Sequence, residues 1–263
     1  MVTTNLFETK EDRKVICRRG VFSVIEYQRD LSIAPDRAVE AYFASEMNVR
    51  KKQLAAEITD EKGVYVQGGA MQLMIGQIKA TTDIKGVGDF FKKAVKASVT
   101  RESIVKTLYF GNGTLVLEPT FRYILLVDVG EWKEGMVIED GMFLASDESV
   151  DITVTSRKNL SSIVFGREGI FNSLLTGEGI VALESPVPEE ELIVLDLEDD
   201  VVKIDGDMAI AWSNSLKFTT EKTTSTLIGS FASGEGFVNV FEGTGRILIA
   251  PVRNNYGITV PEK

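Results

Sequence analysis

Apolar and polar positions along this chain fall in short runs, and few of them hold a helical spacing for long. From Leu54 onward the apolar runs are three to six residues long, rich in Val, Ile and Leu, and bounded by glycines or acidic clusters. Such runs predict strands. Upstream, residues 22–33 carry aromatic and β-branched side chains at strand density, and residues 1–20 read as an extended lead-in. One stretch departs from this rhythm. Pro35-Asp36 opens a helical pattern in which Val39, Tyr42, Phe43 and Met47 share one face. Proline suits the first turn of that helix. The pattern fades before Arg50-Lys51-Lys52, which reads as a solvated basic end beside the helix C-terminal dipole.

The strand pattern repeats. Gly111-Asn112-Gly113, Gly177-Glu178-Gly179 and Gly243-Thr244-Gly245 each precede four apolar-rich positions, and successive copies stand 66 residues apart. Two glycines around one residue predict a tight turn, because glycine reaches positive φ without a Cβ penalty. Pro119, Pro186 and Pro251 close the copies, at strand ends where a missing N–H is tolerated. A phosphate-cradling loop would lead into a helix N-terminus, whereas here the turn leads into a strand. Opening runs at 54–58, 124–129 and 192–197 extend the correspondence, as do Met71, Met142 and Met208. Copies two and three also share Glu168 with Asn172 and Glu235 with Asn239, at equal spacing. Recurrence of that pair favours a hydrogen bond bracing a turn over a catalytic role. Many short strands with glycine turns indicate an all-β sandwich or barrel, and units near 60 residues must pack on one another.

The repeated E-G-[IF]-[FV]-N, followed by G-x-G and an apolar strand, resembles the bacterial branch of the mitochondrial-biogenesis family of the altered-inheritance-of-mitochondria type. The resemblance runs from about Gln53 to Val252. It implies an all-β fold of three tandem repeats with pseudo-three-fold symmetry, plus one or two short helices. Each repeat would resemble the tryptophan RNA-binding attenuation protein (TRAP-like), a short double-stranded β-helix. The expected organisation is an N-terminal strand and helix over 1–53 packing on a body over 54–263, with repeats near 54–120, 121–187 and 188–252. The family offers no catalytic motif to carry over.

Composition narrows the chemistry. The net charge is −10, which opposes a phosphate backbone, so no nucleic-acid partner is expected. There is no histidine, which removes the commonest general base and metal ligand. Cys17 is the sole cysteine, so an intrachain disulfide is excluded and a reducing, cytoplasmic setting is expected. No run has the length of a membrane-spanning helix and no secretory signal is visible. Asp196, Glu198, Asp199, Asp200, Asp205 and Asp207 lack the spacing of a calcium loop and read as solvated turn carboxylates. Trp212 reads as core, and Trp132, in an acidic linker, as an exposed or half-buried aromatic.

The one basic island is residues 85–101, with five basic residues against one acid. Phe90, Phe91, Lys92, Lys93 and Lys96 form a candidate interaction surface there, for a protein partner or, less favoured, a peripheral membrane contact. The competing reading is a helix closing one end of the β body with its lysines solvated. Taken together the sequence points to a non-enzymatic scaffold or assembly module, self-associating or protein-binding, without cofactor or metal. A small-ligand-binding β-barrel is the alternative. A carboxylate-based enzyme or an RNA-binding protein is favoured least.

Overall fold

The computed structural model describes residues 2–81, 106–156, 171–205, 208–222 and 237–252. Its strands in chain order are β1 (Arg13–Arg19), β2 (Phe22–Tyr27), β3 (Lys52–Ile58), β4 (Val64–Gln67), β5 (Met71–Thr81), β6 (Lys106–Leu117), β7 (Tyr123–Asp128) and β8 (Met136–Ile138). They continue as β9 (Phe143–Asp147), β10 (Val150–Ser156), β11 (Phe171–Gly177), β12 (Ile180–Ser185), β13 (Ile193–Asp205), β14 (Ala209–Ser213), β15 (Lys217–Lys222) and β16 (Phe237–Ile249). The only α-helix among the described residues is α1 (Ala38–Glu46). The fold is therefore all-β, and no described helix is long and apolar enough to cross a membrane.

The chain divides into two compact units. The first comprises Met1–Val127, Leu144–Ser149 and Gly179–Glu184. Its sheet runs β1-β2-β3-β6-β4-β9-β12-β7, with β5 paired to β6. Phe22, Val24, Leu54, Ala56, Leu115 and Leu117 project into its main core. Ile25, Ala55 and Val116 project to the other face, under Leu6, Phe7 and Val15. Burial on both faces explains why these strands read as continuous apolar runs instead of alternating. The expected lead-in is thus part of the body: β1 is a strand of this sheet, and Leu6 and Phe7 cover its back.

The second unit comprises Asp128–Phe143, Val150–Glu178 and Ser185–Lys263. Its sheet runs β10-β11-β8-β14-β16-β13, with β15 paired to β16. Trp212 is the centre of its core, stacked on Phe218 at 5.5 Å and edge-on to Phe241 at 5.3 Å. Such aromatic contacts add about 0.5–1.5 kcal/mol each to the burial of the rings.

The Gly-x-Gly sites correct the expected tight turns. In β6 and β16 the strand runs through the motif, and only β11 and β12 are separated by it. Gly111, Gly177 and Gly243 have φ of +114°, +92° and +120°, a left-handed backbone that favours glycine. Each twists its strand so that one edge changes neighbour. β6 pairs with β4 through Lys106–Tyr109 and with β3 through 113–116. β16 leaves β15 at Glu242 and meets β14 at Ile247. At the second motif the strand ends, and the chain passes from β11 of the second sheet to β12 of the first. The acidic residues at 198–200, expected in a turn, form a bulge inside β13. Two residues there face Thr244 alone, Asp199 has φ +51°, and its N–H donates to Thr244 Oγ1 at 3.0 Å.

A polar mount and an outward apolar helix

Antiparallel pairing of β2 with β3 sets Glu26 opposite Lys52. Both side chains are buried, Lys52 at 2% exposure and Glu26 at 4%. Lys52 Nζ stands 3.7 Å from the Glu26 carboxylate, Arg50 Nη1 at 3.2 Å and Lys14 Nζ at 4.0 Å. Gln28 Nε2 donates to the same carboxylate at 2.8 Å. The Lys52 ammonium also donates to the Arg50 carbonyl at 3.0 Å and lies 4.1 Å from the centre of the Tyr123 ring. Burial is the largest influence on this amine and pushes its pKa down from 10.5; Glu26 opposes the shift and Arg50 adds to it. The basic cluster read as a solvated helix end therefore forms ion pairs at the sheet, with Lys52 buried and Arg50 and Lys51 half-buried. Lys52 belongs to β3, and the ladder to Thr120 fixes its backbone in both directions, by hydrogen bonds of 2.7 and 2.8 Å.

The same network mounts α1. Ser45 Oγ donates to the Gln28 carbonyl at 2.6 Å, and Arg50 Nε donates to the Ser45 carbonyl at 3.0 Å. Tyr123 Oη donates to the Asn48 carbonyl at 3.2 Å, just beyond the helix. Lys51 pairs with Asp30 at 3.2 Å. The Asp30 carboxyl is held below its usual pKa first by the Ser32 hydroxyl, with the Ser32 N–H and Lys51 adding to it and partial burial opposing. A 3-10 turn at Pro35–Arg37 leads into the helix, and no residue of either is buried. The expected shared face exists, but it points to solvent: Val39 is 70% exposed, Tyr42 61%, Phe43 62% and Met47 76%. The Tyr42 and Phe43 rings meet edge to face at 5.5 Å. Polar contacts at its C-terminal end tie this helix to the sheet, and its large apolar side chains remain uncovered among the described residues.

A cavity of about 360 Å³ also opens in the first unit, lined by Gly20, Val21, Glu61, Lys62, Gly63, Asp147, Glu148 and Ser149. Two of its carboxylates are engaged by backbone: Gly63 N–H donates to Glu148 at 3.2 Å, and Ile180 N–H to Asp147 at 2.7 Å. They brace strand ends as much as they line a space.

Several other residues singled out by the sequence now have a place. Phe90, Phe91, Lys92, Lys93 and Lys96 lie outside the described residues, as do Asp207, Glu168 and Glu235. Their intended partners Asn172 and Asn239 face Thr155 and Thr220 across hairpins, and Thr220 Oγ1 lies 3.3 Å from Asn239 Oδ1. Trp132 is buried at 7% exposure, beyond the exposed or half-buried position expected: the acidic linker folds into a turn over Val129–Glu131 that tucks the indole inward. Cys17 is exposed on β1 beside Arg18. Asp196 sits on β13 opposite Arg246, which reaches both its oxygens at 2.7 and 3.1 Å. That hydrogen bonding lowers the Asp196 pKa, so the pair's contribution is lost as pH falls through the depressed value. Both groups are well exposed, and Asp196→Asn is expected to cost less than about 1 kcal/mol in urea unfolding at neutral pH.

No sequence pattern announced the ion network. Glu26 stands alone in an otherwise apolar run, Phe22-Ser-Val-Ile-Glu26, and a lone acid in a predicted buried strand is the one signal that it needed a cation.

The sequence pattern of the mitochondrial biogenesis AIM24 family matches residues 43–252. An uncharacterized protein of Streptococcus pyogenes serotype M6 is 31% identical over 204 residues, which span 73% of this chain and 79% of that protein. A crystal structure of a Streptococcus pyogenes protein has a TM-score of 0.57 to this fold at 26% identity, covering 77% of this chain and 88% of the other.

Proposed function

The chain belongs to the mitochondrial biogenesis AIM24 family, and from that premise we propose that it is a non-enzymatic module that assembles with other proteins. The observation that carries this reading is α1: four large apolar side chains presented outward on a mount of hydrogen bonds and ion pairs. Leaving them in water forgoes about 1.5–3 kcal/mol per side chain that burial would return, so covering them is a ready source of binding energy. The body behind the helix reads as TRAP-like repeats. In support, Gly111 pairs with Ile78 and Gly177 with Val150, so in copies one and two the first glycine of the motif pairs with the strand that precedes it in the chain. The ligand-binding alternative rests on the 360 Å³ cavity, whose carboxylates are partly committed to backbone N–H groups.

Affinity capture of the intact chain from cells that produce it, against the double variant Tyr42→Ser/Phe43→Ser, tests this. A partner held by the wild type should be retained at least tenfold less by the variant, with an unchanged melting temperature because both rings are exposed. If both forms retain the same proteins in the same amounts, the helix is not the assembly surface.

A further inference from the structure

The strand edges of the two sheets are not protected alike. β1 carries Arg13, Lys14, Arg18 and Arg19. The edge strand β13 carries Asp196, Glu198, Asp199, Asp200 and Lys203, and is broken by its bulge. Lys217, Glu221 and Lys222 charge the six-residue β15. β7 and β10 are shorter than β5, at six and seven residues. Charge, bulges and shortness are the devices that stop an edge from pairing with another chain. β5 departs from all of them. It is eleven residues long, holds Lys79 as its single charge, contains no proline, and pairs only with β6 among the described residues. Its register with β6 is regular from Leu73 to Thr81. Eight of its residues are exposed, including Leu73 and Met74 on opposite faces, so both sides of the strand can gain contacts if the sheet is extended.

We infer that β5 is a pairing edge for a second copy of this chain, two β5 strands meeting antiparallel about a two-fold axis at Gly76. The inference rests on the assembly reading above and gives it a partner. Self-pairing fits the strand's own chemistry. About that axis Leu73 faces Lys79, Met74 faces Ile78 and Ile75 faces Gln77. The lone ammonium thus meets an aliphatic side chain and never its own copy, and no acid on the partner is required. Gly76 has φ +99°, so centring the pair there puts the two local twists side by side and keeps the strands matched on either hand. Overlap across residues 72–80 gives a ladder about 30 Å long. Closure by a two-fold also limits assembly to a pair instead of an open fibre.

Sedimentation velocity on the intact chain over a wide concentration range, with reductant present so that Cys17 cannot cross-link, is the test. The wild type should move from monomer toward dimer as concentration rises. Leu73→Lys sets two ammonium groups against each other at both symmetric contacts and should weaken the dimer at least about tenfold. Leu73→Glu removes the same apolar contact but faces Lys79 of the second copy, and should leave the dimer in place. Val201→Lys, on the already charged β13, should change nothing. A wild type that stays monomeric throughout overturns the self-pairing, while capture through α1, read separately, still decides the assembly proposal. A dimer indifferent to Leu73→Lys overturns β5 as its location, and equal loss with lysine and glutamate overturns the axis at Gly76.

Discussion

Glu26→Ala is expected to cost about 3–5 kcal/mol, the largest loss from any single polar side chain here, because it strands a buried ammonium. Lys52 is 2% exposed, and without Glu26 the charge of Arg50 still acts on it and repels it. Lys52→Met should cost less, since Glu26 keeps Arg50 and Lys14. The double variant Glu26→Leu/Lys52→Met should recover most of the loss, as replacing a buried pair by apolar groups of like volume is often neutral. The sign of the pH dependence is fixed by Lys52. Its folded pKa lies below 10.5, so between that depressed value and 10.5 the unfolded chain binds more protons and stability rises with pH. Loss of Glu26 lowers the folded value further and widens the window. Urea unfolding of Glu26→Ala should therefore show a deficit that shrinks as pH is raised toward 10. A deficit under 1 kcal/mol at neutral pH would mean that water reaches Lys52 and that the network is not a buried one.

Gly111→Ala is expected to be strongly destabilising, at about 3 kcal/mol or more. At φ +114° an L-residue is strained by about 1–3 kcal/mol, and the new methyl would in addition run into the Gln77 carbonyl of the paired β5. Gly243, its counterpart two copies later, has nearly the same backbone at φ +120°, but the nearest atom to its Cβ would be the Ser215 carbonyl oxygen at 3.9 Å. Gly243→Ala should therefore carry the strain alone, about 1–3 kcal/mol. Thermal unfolding of the two variants should rank them in that order. Equal losses would mean that β5 moves aside freely, which would also weaken the case for β5 as an ordered pairing edge.

Short apolar runs predicted an all-β fold, and the runs after the Gly-x-Gly motifs are buried strands: Leu115, Leu117, Val181, Leu183 and Ile247 are all at the core. Family membership followed from the same repeated residues. What the sequence lacked was the partner of each strand. A Gly-x-Gly looks the same whether the chain reverses there or bends within one strand; the choice depends on which neighbours the two halves find. The three motifs read alike, yet β6 and β16 remain single strands while β11 and β12 join different sheets.

Side-chain environment was still further from view. Local composition alone places the charges of Arg50-Lys51-Lys52 in water and the apolar face of α1 in the core. Tertiary structure reversed both. Hydrogen bonding of β3 between β2 and β6 carries Lys52 inward, and register sets Glu26 against it. The helix then follows as a polar attachment with its apolar side outward. By itself the sequence determined what depends on neighbours along the chain: strand positions, the backbone freedom of the glycines, the absence of imidazole chemistry and the 66-residue period. Only the tertiary structure decided what depends on neighbours across the sheet, namely which lysine loses its water, which tryptophan is covered and which strand edge is left open among the described residues. Those are set by pairing register, and a shift of one residue in register turns every side chain to the opposite face.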